Sequence, residues 1–184
     1  MQDMHIQHGT EMKFRMSGLL QIVVRDASGR PTYFWQQPNK IVFQAADVVL
    51  ALLCQRVADY PGGLPAQIPN DQIYSMRMGT SNTPASRSDQ NLGAPVAGKV
   101  IGNANKITTI PGEVAFVATL DTTEANGFTL QEAGLFTKGA GTGAMDPAGT
   151  SVTTPRMFAR QAHPPIPKTN AISLEYTWRI AMTA

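Results

Sequence analysis

Six large apolar side chains, Ile172, Leu174, Tyr176, Trp178, Ile180 and Met182, stand at consecutive even positions near the C-terminal end of the chain. Ser173, Glu175, Thr177, Arg179 and Thr183 fill most of the odd positions between them. A period of two sends successive side chains to opposite faces of a strand, so residues 170–184 predict an antiparallel strand with one buried face and one wet face. A slip of one residue would carry the whole apolar set out of the core, so the register must be firmly held.

Other segments carry the same signature. Residues 13–25 read as a long strand with Leu20, Ile22 and Val24 on one face, and the turn chemistry of Asp26-Ala-Ser-Gly29 leads into Thr32-Tyr-Phe-Trp35. Together they predict a hairpin over residues 13–35. Further strands are expected at 72–78, 99–101, 106–110, 113–120, 128–137 with an interruption at Gly134, and 156–163. Residues 79–98 are expected as a polar loop, and residues 138–154 as a glycine-containing excursion.

One stretch reads differently. Ala46, Val49, Leu50, Leu53, Cys54 and Val57 recur at three- and four-residue steps, which predicts a helix near residues 44–58 that ends before Asp59-Tyr-Pro-Gly-Gly63. Residues 1–12 show neither period and are expected as a flexible N-terminal arm. The fold class that follows is mainly β: an antiparallel β-sandwich with one α-helix and an N-terminal hairpin, forming a single domain over residues 13–184. Trp178, Tyr176, Leu174, Ile180, Phe116 and Leu53 are its expected structural core.

Composition narrows the function. Of 184 residues, 42% are hydrophobic and 15% are charged, against roughly 25% charged in ordinary soluble proteins. So sparse a charge implies that neighbouring subunits cover part of the surface. The formal net charge is +2, and basic residues never form a run, so no direct nucleic-acid binding is expected. The longest apolar stretch, residues 48–54, is far shorter than the roughly twenty residues that span a bilayer, and no export signal precedes it, so no membrane partner is expected.

No catalytic, cofactor-binding or metal-binding residue is expected. Asp121, Glu124 and Glu132 lie close in sequence as an acid/base pair would, but the first two fall in a turn-forming stretch where acidic side chains cap backbone N–H groups. The hydroxyl-rich segment starting at Gly79 lacks the Gly-Lys-Ser/Thr ending of a phosphate loop. The Gly-rich segment at 139–143 is followed by no helix, so it is no dinucleotide fingerprint. His163 has no nucleophile in a suitable setting and reads as a strand-end residue, while His5 and His8 belong to the arm. The single cysteine, Cys54, lies on the apolar stripe of the expected helix and fits a reducing compartment.

A set of ordered motifs carries a resemblance. Asn39-Lys-Ile-Val42 leads into the expected helix, and Gly79-Thr80, Thr83-Pro84, Asp89 and Leu92-Gly93 follow. Glu132–Phe136, Ala159-Arg160 and Leu174/Trp178/Ile180 complete the series. Over residues 39–184 the chain resembles small virion structural proteins of tailed bacteriophages, β-sandwich components of the neck or collar, the tail or the base of fibres. The 13–35 hairpin and the loops at 61–69 and 138–154 depart from that pattern and leave the place in the particle open.

The resemblance implies a non-enzymatic, multi-copy virion component, assembled in the host cytoplasm, whose partners are copies of itself and other neck, tail or fibre subunits, and which anchors fibres. The alternative is a receptor- or glycan-binding β-sandwich of a tail fibre. That alternative calls for exposed aromatics in the loops, where Tyr60 is the one candidate.

Overall fold

The computed structural model describes residues 15–43, 45, 73–101, 106–107, 110–138 and 155–183. In its first hairpin, β1 (Arg15–Asp26) turns into β2 (Pro31–Pro38) around the Asp26 carboxylate. Asp26 Oδ1 accepts hydrogen bonds from the Ser28 hydroxyl at 2.6 Å, the Ser28 N–H at 2.9 Å and the Arg30 N–H at 3.0 Å. These donors, the Ser28 hydroxyl foremost, hold the carboxyl below its usual range. Gly29 supplies the left-handed residue of the turn, with φ of 81°.

Past Asn39 the chain crosses to a second sheet. The remaining strands are β3 (Lys40–Ile41), β4 (Ile73–Gly79), β5 (Pro95–Val100), β6 (Lys106–Ile107), β7 (Glu113–Leu120), β8 (Thr129–Thr137), β9 (Met157–Pro167) and β10 (Ile172–Thr183). One five-stranded sheet runs β2-β1-β10-β7-β6 and the other β3-β9-β8-β4-β5, with every pairing antiparallel.

β10 is the spine of the first sheet, paired on one side with β1 from Arg15↔Thr183 to Asp26↔Ile172 and on the other with β7. Leu20 and Ile22 of β1, Phe116 and Leu120 of β7, and Leu174, Tyr176, Trp178 and Ile180 of β10 form one buried cluster with Met76, Met78, Leu130, Leu135 and Ile166 of the second sheet. The two sheets therefore share one apolar layer, the arrangement of a β-sandwich. The helix expected at 44–58, with Leu53, and the arm at 1–12 lie outside the described residues, apart from buried Ala45.

Strand limits differ from expectation in several places: β2 runs on to Pro38, beyond the hairpin expected over 13–35, and β3 is not among the expected strands. β5 starts at Pro95, inside the segment expected as loop, because Ala97 alternates inward and joins the core cluster. β8 runs through Gly134 without a break; Gly134 is paired with Arg77 on one side and Arg160 on the other. A Cβ there would press on Phe136, Leu92 and the Ala159 carbonyl, so close packing rather than a bend explains the glycine. β9 continues past His163 to Pro167, which makes His163 an interior residue instead of a strand end.

Trp178 and Tyr176 are fully buried. Trp178→Ala is expected to cost about 3 to 5 kcal/mol in chemical denaturation. Tyr176→Phe should stay within about 1 kcal/mol of the parent, because the Tyr176 hydroxyl is buried with no hydrogen-bond partner among the described residues.

Candidate functional site

Buried charged residues occur inside three adjacent strands of the second sheet, with Arg77 of β4 4% exposed. Glu132 of β8 is fully buried and Arg160 of β9 is 2% exposed. Ala133, Leu135 and Ala159 point into the shared core, so the alternation places Glu132, Gly134, Phe136 and Arg160 on the opposite face. That face is not wet. The chain after β4 folds back across it, and Leu92 joins Val42, Phe136 and Met157 in a second apolar cluster.

An ionic network holds this covering segment. Arg160 Nε and Nη2 both reach Glu132 Oε2, at 2.9 and 2.8 Å. Arg160 Nη1 donates to Asp89 Oδ2 at 2.7 Å, and Nη2 donates to the Thr83 carbonyl at 3.1 Å. The Glu132 carboxylate accepts from three backbone amides: Ala94 at 2.8 Å, Gly93 at 3.0 Å and Ser81 at 3.4 Å. Burial alone would lower the Arg160 pKa, but hydrogen bonds from the guanidinium to Asp89 and Glu132, together with their charges, raise it above its usual value.

The glycines here are required by proximity. A Cβ at Gly79 would collide with the Glu132 side chain and the Ala94 carbonyl, and one at Gly93 would collide with Ser81. Within the segment side chains make local turns: Ser81 Oγ accepts from the Thr83 N–H at 3.3 Å, and Asp89 Oδ2 accepts from the Ser86 N–H at 2.8 Å. Beside the network a cleft of about 490 Å³ is lined by Gln37, Lys40, Asn82, Pro84 and Gln161.

This arrangement holds a loop. Both Glu132 oxygens are occupied by donors. Asp121 and Glu124 lie in a separate turn, where Glu124 Oε2 caps the Asp121 N–H at 2.8 Å and Oε1 meets Lys99 Nζ at 2.6 Å. Burial raises the Glu124 pKa, and the Lys99 hydrogen bond and charge outweigh it, leaving the carboxyl below its usual range. Buried Lys168 bonds Asn126 Oδ1 at 3.0 Å and the Thr169 carbonyl at 2.9 Å, anchoring the same turn. No group of three or more metal-ligating side chains gathers among the described residues.

Sequence reasoning treated Glu132 as a possible acid or base and did not connect Asp89, Glu132 and Arg160. The signal available was a charge in the middle of each apolar strand, LQEAGLF and MFARQA, which implies a buried partner. The expected core residues Trp178, Tyr176, Leu174, Ile180 and Phe116 all lie in the shared layer, away from this network. Searches of family models, curated proteins and solved structures give no match to this chain.

Arg160→Met leaves Glu132 buried without its cation and is expected to cost about 3 to 5 kcal/mol in denaturant titration. A double variant that also carries Glu132→Leu should recover part of that loss.

His163 provides a second test. Its ring lies between Trp35 and Tyr176, with centroids 5.9 Å from each. Burial pushes its pKa down to about 4, against weaker opposing effects of the Pro164 carbonyl and Glu132. The unfolded chain binds the proton near pH 6.5 and the folded chain only near pH 4, so this contribution is complete above pH 6.5 and is lost as pH falls towards 4. Between pH 7 and about 4 the parent should lose up to about 3 kcal/mol more than His163→Phe, measured by urea denaturation.

Proposed function

We propose that this chain is a non-enzymatic structural component of a tailed-phage particle, present in multiple copies at the neck, collar or tail, where it contacts neighbouring subunits and anchors fibres. One observation carries the reading. Gly79, Thr83-Pro84, Asp89, Leu92-Gly93, Glu132 and Arg160, which are scattered over more than eighty positions of sequence, meet in one ionic network or line it. Motif pieces that come together in this way specify a loop platform on a β-sandwich, and every carboxylate and cation among them is used in holding it.

Further features agree with this role. The surface is poor in charge, and large apolar side chains such as Phe34, Phe43 and Ile110 are more than half exposed. The platform stands on two rigid sheets, a support suited to presenting loops to other subunits.

The test is quantitative mass spectrometry of purified particles from the phage that encodes the chain. The chain is expected at a fixed copy number greater than one per particle, and it should remain after high-salt washing. Its absence from particles, when it is abundant in the infected cell, would contradict the proposal.

A further inference from the structure

Sheet edges are where strands recruit partners, and both edges of the second sheet carry a recognisable protection among the described residues. β3 has two residues, and β5 starts with Pro95 and carries Lys99 in an ion pair with Glu124. β2 has eight residues, Pro31–Pro38, and not one of them is charged. Tyr33 and Phe34 are 40% and 56% exposed.

The direction of the β2 backbone groups follows from its register. Asn39 N–H donates to the Gly18 carbonyl at 3.0 Å, directly beyond the pair Leu19↔Pro38. Hydrogen-bonded and non-bonded pairs alternate in an antiparallel ladder. Gln37, Trp35 and Tyr33 therefore turn their N–H and C=O groups towards β1. Gln36 and Phe34 turn theirs to the edge away from β1, and Pro38, which has no N–H, ends that set; the register shifts between Val24 and Arg25, and Thr32 stands in this irregularity with its hydroxyl on the Val24 carbonyl at 3.3 Å.

We infer that this edge binds the same edge of a second copy of the chain, antiparallel about a twofold axis at Phe34. That register pairs Phe34 with its own copy through two reciprocal backbone hydrogen bonds and brings Gln36 opposite the partner's Thr32. On the other face Tyr33 comes opposite the partner's Trp35 in the closer, non-bonded type of pair, which suits two aromatic rings. The uncharged strand opposes no like charges in this register, and the two first sheets merge into one. In this register the uncharged, aromatic-rich strand meets its own complement, Phe34 against Phe34 and Tyr33 against Trp35, a match that a segment of a different protein would lack.

The inference rests on the edge geometry and not on the particle reading. Sedimentation equilibrium from micromolar to millimolar concentration is expected to show a monomer–dimer equilibrium. Amide exchange by NMR should then show Phe34 protected only at high concentration, and Tyr33, Trp35 and Gln37 protected throughout. Phe34→Pro removes one outward N–H while sparing the β1 pairing, and Phe34→Lys places two like charges at the axis. Each is expected to weaken dimerisation at least roughly tenfold with the melting temperature of the dilute protein retained. If Phe34→Pro fails to fold, Phe34→Lys and the exchange pattern of the parent decide.

A parent that stays monomeric, or variants that associate as the parent does, would overturn the inference. Dimerisation through β2 by a chain missing from particles would reject the particle reading and leave this one standing.

Discussion

Two opposite charges withdrawn from water, on Glu132 and Arg160, set the conditions that the second sheet must meet. Such a pair loses several kcal/mol of hydration per ion, and the loss is offset only if every remaining donor and acceptor finds a partner. The structure meets this demand through the backbone of one segment. Ser81, Gly93 and Ala94 supply amides, and Thr83 supplies a carbonyl. The path of residues 80–94 is thus dictated by the charges beneath it. Glycine at 79 and 93 follows from the same closeness, and so does the burial of Leu92 against Phe136. β8 is buried on both faces for this reason, although it belongs to an antiparallel sheet.

The two sheets divide the work. The apolar layer between them supplies most of the favourable burial, and its pattern tolerates any residue of similar shape. The ionic network adds directional bonds that fit one loop position only. On the outer face of the first sheet a polar ladder links Gln36, Gln21, Arg179 and Glu113 across four strands, at 3.0, 3.1 and 2.7 Å. This ladder is part-exposed, so it contributes little stability. It does leave β2 tied to the sheet while its other edge has no strand partner among the described residues.

The strands with one wet face were legible in the sequence. Period-two alternation placed Leu20, Ile22 and Val24, the even residues of β7 and Leu174, Tyr176, Trp178 and Ile180 of β10 on faces that the structure buries, whereas Met182, expected on the same face, is 48% exposed at the end of the strand. The same rule worked poorly on the second sheet. In β8 and β9 both faces are covered, so alternation fades and Gly134 looks like a break. Proline after His163 likewise looks like a strand end, yet β9 continues through it. The ionic network was illegible for a different reason. Its members lie as far apart as Asp89 and Arg160, and no local pattern records which charges a fold brings together. A charge inside an apolar run shows that a partner must exist; the pairing itself needs the topology.

The central claim is that Glu132 and Arg160 hold residues 80–94 as firmly as a strand. Amide hydrogen exchange at Ser81, Gly93 and Ala94 tests it most directly, because these three N–H groups belong to a loop and donate to a buried carboxylate. The account requires Gly93 and Ala94 to exchange as slowly as the central amides of β8, through global unfolding alone, with Ser81 somewhat faster because its bond is longer. Exchange of all three at the rate of an open loop, while β8 stays protected, would contradict it.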